Sequence, residues 1–407
     1  MTASRVLSVA LLALLLGCQQ AERAKNVILF IGDAGGIPTL HAASIHGHRQ
    51  PQALFIQQMP HLALMDTSTV DHWVSDSAAG MTAIVTGHKT DNGVVSQSAD
   101  AVRGKIDGAV LQTILEHAEE RGLSTGIITN MSIADATPAA CYAHANDRGD
   151  AGRIFAQLAE PRYGDGPDVL VGAGRTKVLD ATRALGIDIQ AALRQKGYVL
   201  LDSPASLHPG AKRVVALTDD PEFDPAPVLD HAIGILSENP KGYFLMVEWD
   251  MHTNRLEHGL NRVLTMDALV RQAAARATDD TLIIFTADHS FDLRVRGGSK
   301  DEPLLQRVEP IAAGKQDGTA AQAASSGQGA AAAGATAKAA APAKPAAQDA
   351  PVEQRYIRVD NSHTGEQVLV AAQGPGAAAV RGFILNTDLF RIMMAAYGWG
   401  TSPVAAR

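Results

Sequence analysis

Ser77 follows Asp76 near the head of a run of small residues, Ser75–Asp76–Ser77–Ala78–Ala79–Gly80, that can begin a helix. The first turn of a helix offers unpaired backbone N–H groups and a positive dipole end to an anion, so a serine there is placed to attack phosphorus. The same run also reads as an ordinary helix cap, since Asp and Ser are preferred there. Elsewhere the chain supplies carboxylates and imidazoles at Asp33, Asp135, Glu248, Asp250, Asp288, His289 and His363, and a guanidinium at Arg148. Hard carboxylate oxygens suit Mg²⁺, whereas mixed Asp/His sets suit Zn²⁺. Two cations a few ångströms apart can hold both the attacking and the leaving oxygen of an in-line phosphoryl transfer. An arginine presents a rigid fork to two phosphate oxygens, which lysine does not. Taken singly, each residue has a bland alternative: Asp33 could cap a helix, Arg148 could be a solvated surface residue and His363 could sit in a turn.

The elements that must position these groups are legible as alternating apolar runs and helical segments. Asn26–Val27–Ile28–Leu29–Phe30–Ile31–Gly32–Asp33 reads as a fully buried parallel strand, whose C-terminal end is where α/β proteins bind ligands. Thr125–Asn130 follows a helix-like segment at 108–121, Tyr243–Glu248 follows one at 228–238, and Thr281–His289 follows a long one at 259–277. Four such strands deliver a carboxylate or histidine at or just past their C-terminal ends. The pattern predicts an α/β fold, with a mostly parallel central β-sheet and helices on both faces. Strand pattern returns at 355–359 and 367–372, and 387–396 reads as a closing helix.

Residues 1–18 read as an export signal: Arg5 supplies the positive region and Val6 to Leu16 is almost continuously apolar, too short for an ordinary membrane span. The run ends Leu15–Leu16–Gly17–Cys18, which resembles the bacterial lipoprotein processing box, with ordinary signal cleavage nearby as the alternative. That resemblance makes Cys18 the lipidated first residue of the mature chain, 19–25 a tether, and the location a bacterial periplasm with membrane contact through the lipid anchor. Cys141 then remains alone in an Ala-rich helical stretch and reads as a small buried hydrophobe. Residues 312–351, rich in Ala, Gly, Gln, Lys, Ser and Pro and without aromatics, read as a flexible low-complexity insertion. It interrupts what is expected to be one catalytic domain over 26–397. A net charge of −8 gives no electrostatic case for nucleic-acid binding.

Together these segments resemble the classical alkaline phosphatase family. Asn26–Gly36 is similar to its first strand and metal aspartate. Asp76–Ser77–Ala78, running on to Thr86–Gly87–His88–Lys89–Thr90, is similar to its nucleophile segment, and Asp135–Ala136–Thr137–Pro138–Ala139–Ala140 to its Mg²⁺ segment. Arg148 falls at the family spacing for the phosphate-binding arginine, and Asp168–Gly174 resembles a further, structural run. Thr286–Ala287–Asp288–His289, His363–Thr364–Gly365–Glu366 and Gly374–Pro375–Gly376 resemble its late segments.

The resemblance implies two Zn²⁺ and one Mg²⁺. Asp33 would bridge the second Zn²⁺ and the Mg²⁺; Asp288 and His289 would complete that zinc site; Asp135, Thr137 and Glu248 would hold Mg²⁺; His363 would bind the first Zn²⁺. Arg148 would grip phosphate, and Ser77 would take the phosphoryl group of a small phosphate monoester before water hydrolyses the phosphoserine. A homodimer is common in the family.

The first zinc site departs from the family pattern, which places an Asp after the metal-binding Glu and a His four residues later. Here the chain reads Glu248–Trp249–Asp250–Met251–His252–Thr253–Asn254–Arg255–Leu256–Glu257–His258. Without a gap those positions hold Thr253 and Glu257. The gapped reading is preferred: with one inserted residue, Asn254 and His258 keep an i, i+4 spacing on one helix face, and Arg255 becomes a substrate-binding basic residue. Asp250, His252 or Glu257 are the remaining substitutes. A weakened first site leaves two other functions open: phosphodiester or phosphonate hydrolysis, and a metal- and phosphate-binding lipoprotein with little turnover.

Overall fold

The computed structural model describes residues 23–307 and 357–400. The signal, Cys18, most of the tether and the whole 312–351 insertion lie outside these residues. None of the described helices is long and apolar enough to cross a membrane.

Ten strands form one sheet: β1 (Asn26–Asp33), β2 (His61–Asp66), β3 (Ser124–Ser132), β4 (Val169–Ala173), β5 (Val199–Leu201), β6 (Val214–Leu217), β7 (Tyr243–Asp250), β8 (Thr281–Thr286), β11 (Val368–Gln373) and β12 (Gly382–Leu385). Their order is β12-β2-β11-β8-β1-β7-β3-β4-β6-β5. Only β11 runs against its neighbours β2 and β8; every other pairing is parallel. The mostly parallel α/β fold expected from the alternation is therefore the fold observed. A separate antiparallel pair, β9 (Ser290–Val295) and β10 (Ile357–Thr364), stands beyond β8 in the chain.

β1 and β7 occupy the centre of the sheet and are apolar at nearly every position because both faces are covered. Val27, Leu29 and Ile31 enter one core with Phe244 and Met246 of β7; Ile28 and Phe30 enter the other with Leu245 and Val247. This is the two-residue alternation of a strand read into two separate helical layers. One layer carries the helices Ser77–Thr86 and Asn386–Tyr397, the other Ile37–His48, Pro225–Leu236 and Leu256–Arg276.

The helix expected over 108–121 is shorter, Ile114–Glu120. Thr113 caps it, accepting from the Glu116 N–H, and the Glu116 carboxylate accepts the Thr113 N–H in return. That reciprocal cap fixes the start, and residues before it extend instead, Val110 bridging to Gln97. Cys141 lies buried in the helix Ala136–Tyr142, as its surroundings suggested.

Gly80 lets the helix Ser77–Thr86 approach the end of β8. A Cβ there would fall 2.6 Å from the Asp288 carbonyl oxygen and 2.9 Å from Ser75 Oγ. Gly-to-Ala normally favours a helix by about 1 kcal/mol. Gly80→Ala is expected instead to destabilise by about 1–3 kcal/mol through overpacking, read as a lower midpoint in denaturant unfolding.

Candidate active site and metal centre

Parallel strands end on one side of the sheet, and the polar groups gather there. Asp33 closes β1, Glu248 and Asp250 lie at the end of β7, and Asp288 and His289 fill the step from β8 to β9. In register, Asp33 faces Asp250 and Ile31 faces Glu248, so the two acids of β7 alternate onto the same side as Asp33. Asp135 precedes the helix Ala136–Tyr142, with Thr137 in its first turn. His363 reaches the site from β10, paired in register with Phe291 of β9.

Ser77 is the first residue of the ten-residue helix Ser77–Thr86, and Asp76 is its cap. Both readings of the Asp-Ser run hold at once. Asp76 Oδ1 accepts from the Ala79 N–H at 3.0 Å, while its Oδ2 accepts from Arg148 Nη1 at 3.0 Å. Arg148 Nη2 donates to Asp135 Oδ1 at 3.4 Å, so the guanidinium is held between two carboxylates. Those partners keep Arg148 firmly charged although burial opposes it. Ser77 is buried, its Oγ 3.3 Å from His289 Nε2.

Around this serine the acids crowd one another. His289 Nε2 lies 3.4 Å from both Asp33 Oδ1 and Asp288 Oδ2. Asp33 Oδ1, Asp288 Oδ2, Glu248 Oε1 and Thr137 Oγ1 are buried and have no hydrogen-bond partner, whereas Glu248 Oε2 accepts from Thr129 Oγ1. Burial first, then the neighbouring carboxylates, push Asp33 and Glu248 well above the ordinary carboxylate range. Burial raises Asp288 to about 6. Burial and adjacent imidazoles hold His289 far below its usual value and bring His363 down to about 4, so both present neutral, lone-pair-bearing rings. Unpartnered hard oxygens beside neutral imidazoles are the donor set for divalent cations, which would offset the repulsion. The residues present therefore fit the metals that the resemblance implies.

Among the described residues, three groups could each hold an ion: Asp33, Asp288 and His289; Asp33, Asp250 and His252; and His252, His289 and His363. Asp135 and Glu248 face the same carboxylates, as their mutual repulsion with Asp33 shows, and Thr137 follows Asp135 in the first turn of the next helix. His252 enters in place of the preferred pair: its ring lies 5.7 Å from that of His363, which stacks on His289 at 3.7 Å. The structure does not bring Asn254 or His258 to the cluster. Their i, i+4 relation required a helix beginning before Asn254, but the helix starts at Leu256 with Arg255 at its cap. Asn254 Oδ1 instead accepts from the Arg255 N–H at 2.9 Å, His258 Nε2 sits 3.3 Å from Glu222, and Arg255 is exposed. Of the gap-free pair, Thr253 is buried and Glu257 exposed. The usable signal was the Asp250-x-His252 spacing, which puts both groups on one side where a strand ends.

A buried serine at a helix N-terminus, an arginine held between two carboxylates and a group of unpartnered acids beside imidazoles thus lie together at the strand ends. The family description "Alkaline phosphatase" matches residues 24–203 and 207–399. The chain belongs to the alkaline phosphatase family. It is 28% identical to the alkaline phosphatase of Escherichia coli over 450 residues, covering 92% of this chain and 86% of that protein. It is 30% identical to the human tissue-nonspecific isozyme over 332 residues, 66% of this chain, and spans 63% of that relative's length. The solved alkaline phosphatase of the Antarctic bacterium TAB5 superposes with a TM-score of 0.70 at 22% identity, covering 94% of this chain and 100% of that one. That of Thermus thermophilus gives 0.71 at 22% identity, covering 95% of each. These two likenesses concern the fold.

Asp288 gives a pH signature of the cation requirement. A carboxyl raised from 3.8 to about 6 stabilises the fold only while protonated, a contribution lost as pH rises through about 6. Metal-free Asp288→Asn, which keeps an oxygen for the Ala34 N–H, should therefore be more stable than the metal-free parent at pH 8, by at most about 3 kcal/mol. The difference should vanish near pH 4. With Zn²⁺ and Mg²⁺ added it should reverse, because the variant loses an anionic ligand; thermal unfolding at both pH values reads all three outcomes.

Proposed function

We propose that the protein is a metal-dependent phosphomonoesterase that works through a phosphoserine on Ser77. The observation that carries this reading is the placement of the buried Ser77 hydroxyl at a helix N-terminus, between the carboxylate-held Arg148 and the pocket of unpartnered acids and neutral imidazoles. Asp33, Asp135, Thr137 and Glu248 would hold Mg²⁺ through hard oxygens. Asp33, Asp288 and His289 would hold one Zn²⁺, and His252 and His363 would contribute to the other. Cations there supply positive charge that lowers the pKa of the nucleophile and of water and balances the leaving oxygen. A variant of the TAB5 enzyme has been solved with Mg bound, which supports including that ion.

The chain's own residues divide the work as follows. Asp76 and the first helical turn orient Ser77 and aim unpaired N–H groups at an incoming phosphate. Arg148 holds non-transferred oxygens, pre-aligned by Asp76 and Asp135 so that little side-chain entropy is lost on binding. Ser77 Oγ, its proton released to solvent, then forms a bond to phosphorus as the P–O bond to the alcohol breaks and the alcohol oxygen takes up a proton from water. In the second half, a water oxygen attacks phosphorus, the Ser77 Oγ–P bond breaks and inorganic phosphate leaves. Arg148 is held by Asp76, the residue next to Ser77, which favours a monoester over a diester. The Arg5 to Cys18 segment supports export to the bacterial periplasm with a lipid anchor on Cys18.

p-Nitrophenyl phosphate hydrolysis by the signal-free protein, reconstituted with Zn²⁺ and Mg²⁺, tests the reading. Ser77→Ala should lose roughly 10³-fold or more in kcat, and Arg148→Ala roughly a hundredfold in kcat/KM. Acid quenching during turnover should trap phosphate on the Ser77 peptide. Undiminished turnover in Ser77→Ala, or a reconstituted parent with no turnover, would overturn it.

A further inference from the structure

Asp250 divides its carboxylate between two partners. Oδ1 accepts the His252 backbone N–H at 3.0 Å and lies 2.8 Å from His252 Nδ1. Oδ2 is paired with Nη1 of Arg262, whose Nη2 is paired with Glu222. A continuous line of paired polar groups, Glu222–Arg262–Asp250–His252, thus runs from a partly exposed loop carboxylate to the cation pocket. Arg262 and Asp250 are largely enclosed, with side chains 11% and 15% exposed.

Two packing features hold this line in register. The Phe291 ring meets His252 edge-on, centroids 4.9 Å apart. Gly259 lets the helix Leu256–Arg276, which carries Arg262, lie on the His252 backbone, since a Cβ there would fall 2.3 Å from the His252 carbonyl oxygen. An ionised Asp250, paired with Arg262, takes the proton of Nδ1 as a hydrogen bond and leaves the lone pair on Nε2. A carboxylate behind an imidazole in this way fixes its tautomer and its ring orientation. Arg262 can serve both Asp250 and Glu222 because its two Nη atoms fork; a lysine reaches one of them.

We propose that Glu222, Arg262 and Asp250 form a positioning relay that fixes His252 as a ligand, with His363, of the first cation. The inference rests on the metal-dependent reading above. His252, held by Asp250 and by an arginine twelve residues beyond Asp250, supplies in this chain the imidazole that the family pattern places four residues after an Asp.

Cation uptake by the intact signal-free protein tests this without recourse to activity. Parent, His252→Ala, Arg262→Gln, Arg262→Lys and Asn254→Ala would be stripped of metal and titrated with Zn²⁺ against a chromophoric chelator. A second titration with Co²⁺ would be followed by visible absorption, which reports ligand set and geometry. His252→Ala should bind one ion fewer than the parent. Arg262→Gln should keep the parent's ion count but hold one ion about 10–100-fold more weakly, with an altered Co²⁺ band. Arg262→Lys should recover only part of that loss, and Asn254→Ala should match the parent. The remaining tightly held ions show that the variants are folded. Parental affinity in Arg262→Gln, a full ion count in His252→Ala, or an ion lost in Asn254→Ala overturns the relay while leaving the metal-dependent reading intact. A parent that takes up no cation overturns that reading, and the relay with it.

Discussion

Repulsion among buried carboxylates is the constraint on which the rest of the site depends. Asp33, Glu248 and Asp288 are essentially removed from water, and Asp135 faces the same pocket. Each raises the cost of ionising at least one of the others, and burial raises it further. Arg148 lowers that cost for Asp33 but is already shared between Asp76 and Asp135. One guanidinium cannot neutralise so many acids. The orphaned oxygens of Asp33, Glu248 and Asp288 are the structural trace of that imbalance, and divalent cations are its natural remedy.

The sheet can sustain this because the cost is concentrated at one end of it. β1, β7 and β8 are apolar along nearly their whole length and covered on both faces, so burial of side chains such as Phe30, Phe244 and Phe285 supports the architecture independently of the site. Acids appear only where these strands terminate. The short register between β1 and β7 then does what no single loop does: it brings residues 33 and 250 abreast and leaves Glu248 one alternation below. The Ser77–Thr86 helix is clamped to this edge by the close approach at Gly80 and by Arg148, which reads both its cap and Asp135.

Legibility followed the range of the interactions. β1, β7 and β8 were readable because a fully buried strand leaves a continuous apolar run, and the helices at 225–236 and 256–276 because their apolar spacing persists over several turns. Asp33, Ser77, Asp288 and His289 stood out because each sits directly against such an element. The short helix near 114 was over-extended, since its start is set by one reciprocal hydrogen-bond pair rather than by periodicity. Asn254 and His258 were favoured on helix spacing, yet Asn254 lies in the turn before the helix begins.

By itself the sequence determined the mostly parallel α/β class, the central strands and which acids and imidazoles stand at their ends, because backbone periodicity and strand termini are local properties of the chain. The tertiary structure alone decided which imidazole joins His363. His252 becomes a candidate ligand only because β7 ends at Asp250, Phe291 packs against the ring, and Arg262 arrives from a helix held close at Gly259. Those are contacts between segments far apart or folded back on one another, and a distance set by packing leaves no periodic mark in the order of residues.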